Sequence, residues 1–329
     1  MKFLQVGLGS MGKRRIRCLK KLGHESIIGF DPREDRRAEA EKLYGIQTIA
    51  SLANLGPLGI DALIISTPPD RHRDGIKLAL ELRKPVFVEA GILLEGTAEA
   101  RALARKRKVL IAPSCTLRFH PAIKQIKAIV RGGRYGKLTN FSYHCGQYLP
   151  DWHPWEKVTD FYVSKKETGG CREIVPFELT WLFDIVGFPK RARGFLGETM
   201  DVGAVIDDTY VLAMEFAQQA YGTLIVDVTS RYAIRTLILN MEKGQIQWHW
   251  DEGILKLYDA RTKKWEIVPL PRGKSAKGYN KNIIEDIYIE EIAAFIAAAR
   301  GKAKFPNQFE DDIAILKFLH GFENGARRS

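Results

Sequence analysis

Residues 2–17 read KFLQVGLGSMGKRRIR. The apolar run at the head has the composition of a buried strand, and the run after GSMG has the spacing of an amphipathic helix. Between them stand Gly7, Gly9 and Gly12. In a strand, turn and helix of this spacing, the first glycine permits the tight turn, the second lets a pyrophosphate approach the backbone, and the third lets the helix pack closely on the sheet. Ser10 and Met11 lie in the same turn, and phosphates would sit at the positive end of the helix. The next apolar run, SIIGF, is followed by Asp31, an acid placed to accept hydrogen bonds from both hydroxyls of an adenosine ribose. This pattern predicts a dinucleotide site with NAD as cofactor. NADP is the alternative, because Arg33, Arg36 and Arg37 follow the acid and an arginine can hold a 2′-phosphate. The other reading of these arginines is a solvated helix start.

Outward from this turn, short apolar runs (DALIIS, PVFVEA, VLIAP) alternate with helical patterns near 12–22, 34–44, 71–83 and 95–107. Such alternation implies a parallel sheet covered on both faces. After Arg118 the pattern changes. One amphipathic helix (HPAIKQIKAIVRGG) leads into a strand (LTNFSYHCGQYL), then an aromatic, irregular stretch, a helix over about 172–186, and successive strands over about 191–268. Two helices close the chain, IIEDIYIEEIAAFIAAAR and EDDIAILKFLHGFENGA. The expected fold class is α/β. An N-terminal Rossmann dinucleotide-binding domain covers 1–118, and a C-terminal α+β domain with a large, mostly antiparallel open sheet covers 119–329, its final helix a candidate to pack back on the first domain.

At 329 residues two domains are the better expectation than one. No apolar run reaches the roughly 18 to 20 residues of a membrane span, and the N-terminus lacks the features of a signal peptide, so a cytoplasmic protein is expected. The four cysteines, Cys18, Cys115, Cys145 and Cys171, form no CxxC or Cys/His cluster and suggest buried thiols rather than a metal site or disulfides. The net charge of +12 is carried by short basic groups interleaved with acids. With no zinc-finger or RNA-recognition motif beside them, an anionic small molecule is a better expectation than nucleic acid.

Together with ISTPPDRHRDGIKLALELRKPVFVEAG (65–91), APSCTLRFHP (112–121) and GQYLPDWHPWEKVTDFYVSKKETGG (146–170), the glycine turn resembles the glucose-fructose oxidoreductase, inositol dehydrogenase and rhizopine-catabolism (Gfo/Idh/MocA) family over nearly the whole chain. The resemblance implies hydride transfer between a nicotinamide and a sugar, polyol or sugar nucleotide, in a homodimer or homotetramer whose contacts use the open sheet. It also implies that Thr67, Pro68 and His72 line the cofactor site and that Glu89 lies beside the nicotinamide end. Without the resemblance, His72 reads as a surface residue at a helix start.

The chain departs from the family at two places. The family's Glu-Lys-Pro, whose lysine assists proton transfer, is here Glu89-Ala90-Gly91, and its acid/base histidine is matched by Phe177. Moving the hydroxyl proton contributes roughly 10²- to 10⁴-fold, so another group is needed if the usual reaction runs. Glu178 and Glu173, on the helix that would carry the histidine, are the candidate acid/base groups, with His153 a third. Glu173 reads equally as an acid favouring a helix start, and Glu178 as one half of an ion pair. Arg172 is a candidate anion-binding fork, and Tyr148 and Trp152 are candidate pocket walls or loop-packing residues. Arg118 and His120 read as structural. Three functions stay open: an oxidoreductase with altered proton-transfer residues, an enzyme using tightly held NAD in a closed redox cycle, and a non-catalytic binding protein.

Overall fold

The computed structural model describes residues 1–154, 156–271 and 284–326, so Trp155 of the aromatic stretch and Ile283 at the start of the penultimate helix lie outside the described residues. The chain divides into two compact units, 1–116 with 285–314 and 117–284 with 315–329.

The first unit opens β1 (Phe3–Val6), α1 (Ser10–Lys21), β2 (Ile27–Phe30), α2 (Glu34–Tyr44), β3 (Gln47–Ile49), β4 (Ala62–Ile65), α3 (His72–Leu82), β5 (Val86–Val88), α4 (Thr97–Arg107) and β6 (Ile111–Pro113). All six strands are parallel, in the order β3-β2-β1-β4-β5-β6. Every residue of β1, β4 and β5 is buried, as strands covered on both faces must be, and this explains their unbroken apolar runs. The strand the sequence did not announce is β3, whose three residues QTI carry one side chain with strong apolar character. Strand order reverses between β1 and β4, and ligands of open α/β sheets bind at the carboxyl ends beside such a reversal.

The second unit contains α5 (Pro121–Arg131), β7 (Leu138–Tyr148), α6 (Cys171–Val186), β8 (Arg191–Gly197), β9 (Thr209–Glu215), β10 (Tyr221–Asp227), β11 (Thr229–Met241), β12 (Gly244–His249), β13 (Ile254–Asp259) and β14 (Lys264–Pro269). Among the described residues its eight strands run β14-β13-β12-β11-β7-β10-β9-β8, antiparallel except for the β7–β10 pair. Alternation along the strands sends Tyr143, Leu212, Leu224, Leu237 and Trp248 into a core shared with α5 and α6. The alternate residues stay open, Phe195 being 74% and Tyr221 57% exposed. Among the described residues, the irregular stretch between β7 and α6 holds three single 3₁₀ turns, at Leu149–Asp151, Val158–Asp160 and Tyr162–Ser164.

The last two helices are α7 (Glu285–Ala299) and α8 (Phe309–Ala326). The two units divide the chain elsewhere than at 118/119: α7 and the first residues of α8 group with the first unit, and 315 onward groups with the second. The reason is packing. Phe295 of α7 and Phe305 beyond it sit 5.8 and 6.2 Å, centroid to centroid, from Phe87 of β5, and Arg14 and Arg17 of α1 both bind Glu285.

Candidate functional site

The glycine turn after β1 is sterically determined. Gly7 has φ +89°, and a Cβ there would lie 2.5 Å from the Ser66 carbonyl oxygen; a Cβ on Gly12 would lie 1.9 Å from the Gly7 oxygen. Gly9 differs, since the nearest atoms to a Cβ there are the Arg36 guanidinium at 3.7 Å and beyond. Gly9 is also the N-cap of α1 and has no side chain to satisfy the amides of that first turn, Ser10, Met11 and Gly12 among them.

Asp31, at the end of β2, is 2% exposed. Its Oδ2 accepts the Leu8 amide at 2.9 Å and its Oδ1 the Arg33 amide at 3.0 Å, so it is locked onto the glycine turn. The Arg33 side chain turns to Asp35 (Nε to Oδ1, 3.0 Å) rather than toward Asp31. Of the three arginines it is Arg36 that faces the acid, at 3.6 Å.

Beyond β4, Pro68 opens the 3₁₀ turn that leads to α3. His72 is buried, not at the surface. Burial pushes its pKa down to about 4, so the ring is neutral at pH 7 and its Nε2–H donates to the Thr67 carbonyl at 2.9 Å. Its Nδ1 and the Thr67 Oγ1 are buried with no hydrogen-bond partner among the described residues.

Glu89 follows β5 and is 8% exposed. Arg15 grips it with two charge-assisted hydrogen bonds, Nε to Oε1 at 2.6 Å and Nη2 to Oε2 at 2.8 Å, and the Ser66 hydroxyl donates at 3.2 Å. The same guanidinium ion-pairs with Glu291 of α7 at 2.8 Å. Glu291 accepts from the Cys115 amide, the Ser114 hydroxyl and the Thr116 hydroxyl, and burial raises its pKa. Arg15 and Glu291 were missed from sequence; the signal was an arginine on the buried face of α1 and a glutamate inside the apolar run of α7. After Glu89 the backbone takes its own path: Gly91 has φ +89°, a conformation that proline, held near −65°, does not adopt. The departure from Glu-Lys-Pro is therefore one of backbone as well as side chain.

These groups fit a dinucleotide. Gly9 leaves an approach to the backbone that a Cβ would narrow, Asp31 stands at the β2 end and Glu89 at the β5 end of one sheet, and unpartnered Thr67 Oγ1 and His72 Nδ1 lie after β4. The residues that would hold NAD are those of the glycine turn, Asp31, Thr67 and Glu89.

In the second unit the candidates separate. Glu178 is 0% exposed. It accepts the Tyr143 hydroxyl at 2.7 Å, the Trp181 Nε1–H at 2.8 Å, and Arg235 Nε at 3.0 Å and Nη2 at 2.9 Å. Among the described residues its hydrogen-bond partners are all buried, which suits an ion pair within the core and not a group exchanging protons with a ligand. Glu173, on the first turn of α6, is half-buried and accepts the Tyr162 hydroxyl at 3.1 Å. His153 bonds Glu156 at 2.9 Å and stacks on Phe161, the neighbour of Tyr162. Trp152 is half-buried, and Tyr148 lies under the Arg231 guanidinium at 3.8 Å. Arg172 is drawn to Glu323 of α8 at 2.7 Å, which also accepts the Tyr210 hydroxyl. Arg118 donates to the Thr180 carbonyl, and His120 caps α5 by accepting the Ala122 amide at 3.2 Å. All four cysteines are buried, and none forms a disulfide.

Two family models match in succession: an oxidoreductase family with an NAD-binding Rossmann fold over residues 1–114, and the Gfo/Idh/MocA C-terminal domain over 123–247. The chain belongs to the Gfo/Idh/MocA oxidoreductase family. It is 31% identical over 136 residues to the uncharacterized oxidoreductase YrbE of Bacillus subtilis, and 31% identical over 139 residues to the scyllo-inositol 2-dehydrogenase (NAD(+)) of the same organism. In both cases the match covers 40% of this chain and 40% of the relative, so the chain spans about two fifths of the length of these relatives. Levoglucosan dehydrogenase, solved with NADH and levoglucosan, superimposes with a TM-score of 0.84 over 100% of this chain and 97% of that one, at 16% identity. That likeness is one of fold.

Proposed function

We propose that the protein is an NAD-dependent oxidoreductase acting on a small polyhydroxylated compound of the sugar or polyol class. The observation that carries this reading is the placing of the glycine turn, Asp31, Thr67 and Glu89 at the carboxyl ends of one parallel sheet. The names of the inositol and levoglucosan relatives support the substrate class. A bound nicotinamide supplies the hydride chemistry. The chain's part is to hold it, with Asp31 on the ribose and Glu89 fixed by Arg15, and to manage the substrate proton. For that proton we assign Glu173 with Tyr162, because of the two candidate carboxylates of α6 Glu173 is half-buried and Glu178 fully buried. The open face of the second unit's sheet, with a concavity of about 570 Å³ that includes Asn140, Arg193 and Tyr221 in its lining, supports a homo-oligomer. We place the protein in the cytoplasm, where its buried cysteines stay thiols.

A second reading, a binding protein that retains the nucleotide fold without turnover, is favoured by the changed backbone at Gly91 and the sealing of Glu178. One experiment separates them. The purified protein is denatured, released nucleotide is identified by mass spectrometry, and cofactor reduction is followed across a panel of sugars, polyols and sugar nucleotides. Turnover abolished by Glu173→Gln supports the proposal. NAD affinity without turnover on the panel supports the second reading, and NAD that survives purification points to a closed redox cycle. Absence of NAD binding overturns them all.

A further inference from the structure

We infer that Gln5 is a positioning residue for the cofactor, its side-chain amide fixing the peptide between Gly7 and Leu8 and, through that peptide, the carboxylate of Asp31; this rests on the glycine turn and Asp31 being the cofactor cradle. Gln5 is out of place by composition. The rest of β1 is Phe3, Leu4 and Val6, and the Gln5 side chain is 0% exposed. Glutamine is mostly a surface residue, and burying its amide costs free energy wherever an end is left without a hydrogen bond. Here one end is. Nε2 donates to the Gly7 carbonyl at 3.1 Å and more distantly to the Val6 carbonyl at 3.4 Å, while Oε1 is buried with no partner among the described residues. Turning the amide over would set Oε1 against those two carbonyl oxygens, so the nitrogen belongs where it is. A leucine or methionine would fill the space without an orphaned acceptor, so packing does not account for a glutamine. The donor does.

The carbonyl it meets is buried under α1. A Cβ on Gly12 would lie 1.9 Å from the Gly7 oxygen and 3.3 Å from Gln5 Nε2, and Gly7, Leu8 and Gly12 are all buried. Among the described residues the hydrogen-bond donor to that oxygen is Gln5. Across a trans peptide the C=O and the N–H point opposite ways, and on the other side the Leu8 amide donates to Asp31 Oδ2 at 2.9 Å. One peptide is thus held at both ends, by a side chain of β1 and by the acid after β2. Gly7, at φ +89°, has no side chain to resist rotation of that peptide. With the hold on its oxygen removed, rotation carries the Leu8 N–H away from Oδ2 and releases the carboxylate that is expected to meet the adenosine ribose.

The test is calorimetric titration of the whole protein with ADP-ribose and NAD+ at pH 8 and pH 5.5, on the wild type, Gln5→Met and Gln5→Glu, with urea midpoints measured alongside. Gln5→Met keeps the length and removes the donor, and is expected to weaken both ligands by about tenfold or more at either pH. Gln5→Glu has a donor only while its carboxyl is protonated, and burial raises the pKa of a carboxyl. It is expected to bind at least as weakly as Gln5→Met at pH 8 and to recover to within about threefold of the wild type at pH 5.5. A purely structural role would lower the urea midpoint and leave the affinity of the folded protein unchanged. Loss of a negative charge alone would bring Gln5→Glu at pH 5.5 only to the level of Gln5→Met. Two results therefore overturn the inference: Gln5→Met binding ADP-ribose within about twofold of the wild type, or Gln5→Glu at pH 5.5 binding no more tightly than Gln5→Met. If Gln5→Met does not fold, Gln5→Leu replaces it, and the pH profile of Gln5→Glu is read against the wild type, a flat profile overturning the inference. In each case NAD+ binding by the wild type survives and so does the cofactor reading; a wild type that binds neither ligand overturns that reading and the role of Gln5 with it.

Discussion

Glu89 in the first unit and Glu178 in the second are both buried carboxylates gripped by an arginine from a distant part of the chain, Arg15 and Arg235. They differ in what closes the remaining side. Around Glu178 stand Tyr143, Trp181 and Arg235, all donating to it, and nothing of it reaches the surface. Around Glu89 stand Arg15 and Ser66, and the side chain keeps 11% of its surface, at the carboxyl end of β5 where ligands of such sheets bind. The same chemical pair is thus a core fastening in one unit and one wall of the proposed site in the other. Access, not residue type, separates them.

The widest test of this contrast is removal of each carboxylate. Glu178→Ala leaves Arg235 buried without its counter-charge and is expected to destabilise the second unit by about 3 to 5 kcal/mol, read as a shift in the urea midpoint. Glu89→Ala leaves Arg15 its second partner, Glu291, and is expected to cost about 1 to 3 kcal/mol while weakening NAD+ binding. If Glu178→Ala folds with wild-type stability and loses activity instead, the contrast is wrong.

A smaller effect is expected from acid, and it touches one neutral histidine in each unit. Burial lowers the pKa of His72 and His120 from 6.5 to about 4; for His120 the Arg235 charge adds to it. As pH falls from about 6.5 toward about 4, the unfolded chain takes up a proton at each ring that the folded chain refuses, so stability declines across that window and is unaffected by these rings above it. Each ring accounts for about 3 kcal/mol at the foot of the window. Urea unfolding at pH 7, 5.5 and 4.5 measures the decline, and His72→Gln, which keeps a donor for the Thr67 carbonyl, should flatten it for the first unit. A wild-type profile flat down to pH 4.5 would mean that the rings protonate in place.

The smallest change is expected from Ala90→Lys. Restoring the lysine of Glu-Lys-Pro on a backbone that turns through φ +89° at Gly91 returns the group without the path that aims it. The variant should fold, bind NAD+ within about threefold of the wild type, and gain no turnover. A gain of tenfold or more would show that the side chain alone had been missing, and would sharpen the role of Glu89 beside it.

Much of this molecule is local and was legible. The β1 strand, the glycine turn, α1 and Asp31 lie within thirty-one consecutive residues, and their chemistry depends on apolar periodicity and on positions where a Cβ does not fit. The alternating runs of the first unit and the open sheet of the second were equally plain. The candidate acid/base groups were not. Glu173 and Glu178 lie five residues apart on one helix, and sequence offered no ground for separating a half-buried carboxylate from a sealed one. Arg172 resembled an anion fork because its partner, Glu323, lies at the far end of the chain.

The sequence alone determined the class of fold, and it pointed to the glycine turn and Asp31 as the proposed cofactor cradle. Tertiary structure alone decided which charges are committed. Arg15 meets Glu291 across 276 positions, and Glu178 meets Arg235 across 57. Local pattern encodes which face of an element turns inward, but whether a buried charge there is neutralised or left open to a ligand depends on long-range partners that only folding brings within 3 Å.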